Sequence, residues 1–184
     1  MAPLQISHWR GIKEVLEENG VEVLITRVPA TSSVHDRAKV LEEKITETYP
    51  GQEVHLIGHS MVSELPVGDF TYSWDIVQGG LDCRYLTSRL RPKAFKVLSV
   101  TTIATPHRGS YFANYFLDTL GKDRLPTFKN LLEKLPIGGG DGKAFEGLTL
   151  EAMARFNEET PDVEGVRYFS WGAKFDPSLL DTFK

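Results

Sequence analysis

The sequence predicts an α/β fold, with a mostly parallel sheet and helices on both faces. Two observations lead there. From residue 7 to residue 103, segments with helical spacing alternate with short apolar runs of the kind that strands buried on both faces carry. A hydrophobic share of 41% against 25% charged residues, in 184 residues, suffices for one core and does not require two, so residues 1–184 read as one domain.

Residues 7–19 read as a helix: Ser7 can cap it, Trp9, Ile12, Val15 and Leu16 share a face, and Gly20 stops it. Residues 21–28 are rich in β-branched side chains and end at Pro29, which predicts a strand. Val34, Ala38, Leu41, Ile45 and Tyr49 then repeat at spacings of three and four, an amphipathic helix closed by Pro50 and Gly51. Residues 54–57 form a buried strand entering Gly58-His59-Ser60, and residues 97–103 another, bounded by Ala104-Thr105-Pro106. Between them Leu81, Tyr85, Leu86 and Leu90 fall close to one helical face, and Pro92 follows. Residues 111–120 and 127–135 read as helices, 138–142 as a glycine-rich loop, 149–157 as a helix capped by Thr149, and 166–171 as a last strand.

Several function classes are disfavoured. A net charge of -4 with scattered Lys and Arg, apart from residues 89–93, argues against a nucleic-acid surface, which needs clustered cations to release counterions. The single cysteine, Cys83, allows neither an internal disulfide nor a Cys-based zinc site, and it reads as a buried small residue rather than a nucleophile. No apolar run reaches the length of a membrane-spanning helix, and the first residues lack a basic-then-apolar leader, so no signal peptide is expected and a cytoplasmic location is the default. Residues 138–143 suggest a phosphate loop only superficially, because Ile137 stands where its first glycine belongs and Ala144 replaces Ser or Thr. No metal or cofactor is expected.

The chemistry-bearing motif is Gly58-His59-Ser60, directly after an apolar strand. It is the first half of a G-x-S-x-G nucleophile elbow, in which a sharp strand-to-helix turn lifts the serine out of the backbone. The helix behind such a serine favours developing negative charge at its N-terminus, and the N–H after the serine, here that of Met61, helps bind the oxyanion. The second glycine is missing, because Val62 occupies its place. Gly79-Gly80 comes later, and joining Met61 to Gly79 restores a complete strand, elbow and helix: His55-Leu56-Ile57-Gly58-His59-Ser60-Met61-Gly79-Gly80-Leu81-Asp82.

That joined segment resembles the elbow of bacterial-type triacylglycerol lipases and their fungal relatives, members of the α/β-hydrolase superfamily. The likeness extends through Trp9-Arg10-Gly11-Ile12, Thr26-Arg27-Val28, Thr105-Pro106-His107-Arg108-Gly109-Ser110 and Tyr168-Phe169-Ser170-Trp171. It implies an α/β-hydrolase fold and hydrolysis of acylglycerol-type lipid esters, with a lipid-water interface as the place of action and Ser60 as nucleophile. It also implies a cap or lid over the site at residues 111–146, although the apolar residues there suit a plain core equally. Carboxylesterases and phospholipases of the same fold are alternatives, as is a non-catalytic truncated product.

Departures from the family pattern accompany the match. The upstream His-Gly segment that supplies the other oxyanion donor has no counterpart, nor do the downstream acid in an Asn-Asp-Gly context and the histidine in an Asn-His context. The expectation is therefore a fold lacking terminal strands, with no catalytic acid or base in this chain. His107 matches a structural or substrate-side histidine of the family. His55 and His59 read as structural, His8 and His35 as solvated, and Asp176 lies in an unmatched Phe-Asp-Pro context.

Residues 62–78 admit three readings: a natural insertion, a lid, or translated intron. The last fits best. Val62-Ser63-Glu64 is encodable as GTGAGTGAG, which begins as a splice donor does, Gln78 as CAG, which ends as an acceptor does, and both junctions fall where the motif breaks. On the sequence alone, such an insertion should detach the following helix from the oxyanion site and compromise the nucleophile.

Overall fold

A computed structural model of the chain describes residues 9, 11–26, 28–29, 32–59, 79–121 and 143–174. Three strands form a parallel sheet in the order β1 (Glu53–His59), β2 (Lys96–Ile103), β3 (Arg167–Trp171). Register places Leu56, Val100 and Tyr168 on one face, and Ile57, Thr101 and Phe169 on the other.

The first face holds the core. Helix α2 (Val34–Thr48) starts at Ser33, whose hydroxyl accepts from the Asp36 amide, and it buries Arg37, Ala38, Leu41 and Ile45. Helix α3 (Gly79–Tyr85) continues as a π-helical turn, Leu86–Leu90, which ends at Arg91 in a left-handed conformation. Ala38, Leu41 and Ile45 meet Leu56, Cys83, Leu86, Val97 and Val100 in one apolar cluster. A second cluster joins Leu81 of α3 to Ala113 of α4 (Tyr111–Leu120) and Met153 of α6 (Leu150–Glu159), where Thr149 caps α6 by accepting from the Ala152 amide. A short α5 (Lys143–Gly147) precedes α6.

Two expectations change here. Helix α1 spans Ile12–Glu18 and is shorter than residues 7–19, with Gly11 before it at φ 86; Ser7 lies outside the described residues. Residues 21–26 are not a strand, despite their β-branched composition. A strand requires a ladder partner, and residues 21–26 pair with none of the described strands. The helix expected at 127–135 and the glycine loop at 138–142 fall outside the described residues.

Candidate functional site

The C-terminal ends of β1 and β2 converge with the start of α3, the edge at which parallel sheets hold their sites. Gly58 is buried in β1, and a methyl group on it would lie 2.3 Å from the Gly79 carbonyl carbon and 2.4 Å from the Gly80 nitrogen. A methyl group on Gly80 would lie 2.1 Å from Thr105 Oγ1, in the loop after β2. Both glycines are thus required by close approach, the first to a backbone and the second to a side chain. His59 ends β1 and meets the Trp9 ring edge to face, with centroids 6.4 Å apart.

Ser60 and Met61 lie outside the described residues, as do Val62 to Gln78. Their two flanks do not. Helix α3 is docked against the end of β1, whereas the insertion was expected to detach it. The reason is tertiary: glycine-backed contacts at Gly58 and Gly80, and one buried ion pair, hold α3 whatever path the chain takes between them.

That ion pair is Arg37–Asp82. The Arg37 Nε and one terminal nitrogen donate to Asp82 Oδ2 at 3.1 and 2.7 Å, with the two side chains 0% and 1% exposed. Asp82 Oδ1 has no donor among the described residues. Burial pushes the Asp82 carboxyl up to about 6, against the pull of Arg37. Sequence reading missed the pair, although Arg37, Leu41 and Ile45 share the i, i+4, i+8 stripe of α2 and Asp82 follows buried Leu81.

His107 occupies the loop between β2 and α4. Its Nδ1 lies 3.2 Å from Arg84, which can only donate, so Nδ1 accepts and the proton sits on Nε2. That Nε2–H donates to Thr102 Oγ1 at 3.0 Å, and the Thr102 hydroxyl donates to the Phe169 carbonyl at 3.3 Å. Asn157 donates to the His107 carbonyl at 2.7 Å and accepts from Arg84 at 2.8 Å. Burial, reinforced by the Arg84 charge, holds the His107 pKa below its ordinary value. His107 is therefore a neutral crosslink joining α3, β2, α6 and β3. It lines a cavity of about 400 Å³ with Arg84, Arg108, Tyr168 and Ser170.

The remaining candidates are accounted for more briefly. His55 Nδ1 lies 2.7 Å from Ser99 Oγ, and His35 meets Tyr85 edge to face. Cys83 is fully buried and burial pushes its thiol up, so it cannot present a thiolate. Among the described residues no group of His, Cys, Asp and Glu could hold a metal ion, and no helix is long and apolar enough to cross a membrane. His8 and Asp176 lie outside the described residues.

No protein-family model matches the chain. Over 187 aligned residues it is 34% identical to triacylglycerol lipase 2 of Saccharomyces cerevisiae, an alignment covering 98% of this chain and 50% of that protein. It also shares its fold with a metagenomic carboxyl esterase, at TM-score 0.62 and 19% identity over 87% of this chain and 42% of the esterase. The mature lipase BlEst2 of Bacillus licheniformis superposes at TM-score 0.53 and 20% identity, over 88% of this chain and 58% of the lipase. The chain spans about half the length of the yeast relative. With likeness along nearly all of its length and a parallel sheet converging on a glycine-backed strand-to-helix junction, the chain belongs to the α/β-hydrolase superfamily, among the relatives of triacylglycerol lipases.

Proposed function

We propose that residues 1–184 are a single partial hydrolase domain of a lipase-like serine ester hydrolase for acylglycerol-type lipid esters, with Ser60 as nucleophile and the Met61 N–H as an oxyanion donor. The observation that carries this reading is the close approach of Gly58 to the Gly79–Gly80 peptide, which brings the end of the strand that leads towards Ser60 against the start of a helix, as a nucleophile elbow requires. Likeness to a triacylglycerol lipase supports the substrate class. In the reaction Ser60 Oγ bonds to the ester carbonyl carbon, its proton passes through a base to the departing alcohol, and an acyl-serine remains. Water then adds its oxygen to the acyl carbon, releases the fatty acid and returns a proton to Ser60.

Among the described residues His107 is the candidate for a base. Both ring nitrogens of His107 are engaged by Arg84 and Thr102, which supports a structural role over a basic one and leaves the cavity that it lines as the substrate-side candidate. The chain as given is read as a non-catalytic form of the hydrolase, and residues 62–78 as retained intron. Residues 111–146, of which 111–121 and 143–146 are described, are read as a cap-like region. On α4, Tyr111, Phe112 and Tyr115 are 80%, 43% and 70% exposed, which supports contact with a lipid-water interface. Hydrolysis of emulsified triacylglycerol against a soluble short ester, by a chain rejoined at Met61-Gly79 and supplied with the missing acid and base, tests the substrate class. A preference for the soluble ester points to a carboxylesterase instead.

A further inference from the structure

We propose that the cavity at the carboxyl ends of β2 and β3 binds the phosphate ester of a small polyol, glycerol phosphate in its simplest form, with Arg84 and Arg108 facing the phosphate and Asp162 a hydroxyl. The inference concerns what this cavity binds and stands whether or not Ser60 turns over ester. The volume of about 400 Å³ lies within the range of roughly 300–1,000 Å³ that small-molecule sites occupy. Thr102 and Ser170, register partners that line it, stand two residues beyond Val100 and Tyr168 on the sheet face that packs against α3. Parallel α/β sheets bind their small ligands outside this end of the strands.

Uncompensated positive charge selects an anion. Arg84 is half-buried and meets only neutral partners: Asn157 Oδ1 at 2.8 Å, the Thr160 carbonyl at 3.1 Å and His107 Nδ1 at 3.2 Å. Burial lowers its pKa, and among the described residues no carboxylate lies within ion-pair distance to offset that cost, as Asp82 does for Arg37. Arg108 lines the same cavity, is exposed, and has neither hydrogen bond nor ion pair among the described residues. Two neutral donors accompany the guanidinium groups. The Tyr168 hydroxyl accepts from the Val163 amide at 3.0 Å, and its own proton has no acceptor among the described residues. The Ser170 hydroxyl is likewise unengaged among them.

Asp162 narrows the class of anion. It lines the cavity as an exposed carboxylate and is paired with no cation among the described residues. A carboxylate repels a bare phosphate and accepts from a hydroxyl, so a ligand that carries both groups matches the lining where either alone does not. A fatty carboxylate would meet the arginines and leave Asp162 unmatched, and a neutral polyol would do the reverse. Free glycerol phosphate and the headgroup of phosphatidylglycerol share the required chemistry.

The test uses the whole 184-residue chain. Modification of arginines by phenylglyoxal is followed residue by residue by mass spectrometry, with and without sn-glycerol 3-phosphate. The expected result at saturating ester is slowing of about tenfold at Arg108 and none at Arg155, which pairs with Glu151 outside the cavity. By calorimetry Arg108→Gln should weaken binding of the ester by about tenfold or more, and Arg155→Gln should leave it unchanged. Asp162→Asn should tighten binding of inorganic phosphate and shrink the preference for the ester over it. Vesicles of phosphatidylcholine with and without phosphatidylglycerol separate the two sources: displacement of the free ester by the anionic vesicles alone assigns the site to a headgroup, and retention of the ester assigns it to the soluble compound. Equal protection of Arg108 and Arg155, sulfate or decanoate binding as tightly as the ester, or unchanged binding in Arg108→Gln would each overturn the proposal.

Discussion

Gly58 and Gly79, twenty-one positions apart in sequence, touch so closely that a single methyl group on Gly58 would lie 2.3 Å from the Gly79 carbonyl carbon. Nothing larger than hydrogen fits between the end of β1 and the start of α3. Gly58→Ala should therefore cost about 1–3 kcal/mol, the range for an overpacked site that can shift only by moving backbone. Gly80→Ala should cost a similar amount alone and much less combined with Thr105→Ala, because the Thr105 hydroxyl and methyl are what it meets. Urea midpoints for the three variants check this; additive losses in the double variant would contradict the contact.

Asp82 makes stability depend on pH in a direction opposite to ordinary paired carboxylates. Its folded pKa, about 6, lies above the reference value of 3.8, so the folded chain holds that proton more tightly than the unfolded chain. The stabilisation is present in acid and is lost as pH rises from 3.8 through about 6. It amounts to at most about 3 kcal/mol. Asp82→Asn should flatten this part of the profile relative to the parent. Arg37→Ala, which leaves the carboxylate without its cation, should cost about 3–5 kcal/mol at neutral pH. Parallel pH profiles for the parent and Asp82→Asn would show that the carboxyl is not held above its reference value.

His107 should titrate below its ordinary value and carry its proton on Nε2 throughout the neutral range. Because the folded pKa is depressed, its contribution to stability is present above the unfolded value and is lost as pH falls through the window between the two. Nitrogen-resolved NMR reads both the tautomer and the midpoint. His107→Ala should cost about 1–2 kcal/mol through the stranded Thr102 and Arg84 partners. A proton on Nδ1, or a midpoint above 6.5, would contradict the crosslink geometry.

Much of this was legible in the sequence where local pattern and tertiary role agree. Leu41 and Ile45 fall on the buried stripe of α2, Thr149 caps its helix, and the runs ending at Gly58 and Ile103 pair in parallel, as their apolar continuity predicts. Residues 21–26 have the same composition without the same outcome, since β structure is a property of a pair of chains and not of one. The docking of α3 was likewise illegible. Reading along the chain from Ser60 suggests detachment, whereas contacts of Gly58, Gly80, Arg37 and Asp82 across 20 to 45 positions hold the helix in place. The same long separation hid the Arg37–Asp82 pair, whose members look like ordinary helix-surface charges until the two helices meet.

Apolar surface is exposed on the sheet, on α1 and along residues 21–26. Ile12, Val15, Leu24, Ile25, Ile57, Phe169 and Trp171 are all open to solvent to a degree unusual for core-type side chains, with Trp171 at 69%. β1 and β3 are both edges among the described residues. The purified chain should therefore bind a hydrophobic dye strongly and associate with rising concentration. A dye-negative monomer with one sharp, concentration-independent melting transition would show that this surface is covered in solution.

The most direct measurement is ester hydrolysis by four proteins: the parent chain, the chain with Val62 to Gln78 removed, the parent extended through an upstream His-Gly segment and a downstream Asp and His, and the chain both shortened and extended. Removal joins Met61 to Gly79 at the point where Gly58 already meets α3, so the serine turn closes on a helix that is in position. Only the fourth protein should turn over ester, and Ser60→Ala should abolish its activity, because the nucleophile needs both the rejoined turn and an oriented base. Equal activity in the extended chain that keeps Val62 to Gln78 would show that the segment is tolerated. Ester turnover by the parent that disappears in Ser60→Ala would contradict the claim that this chain lacks its base.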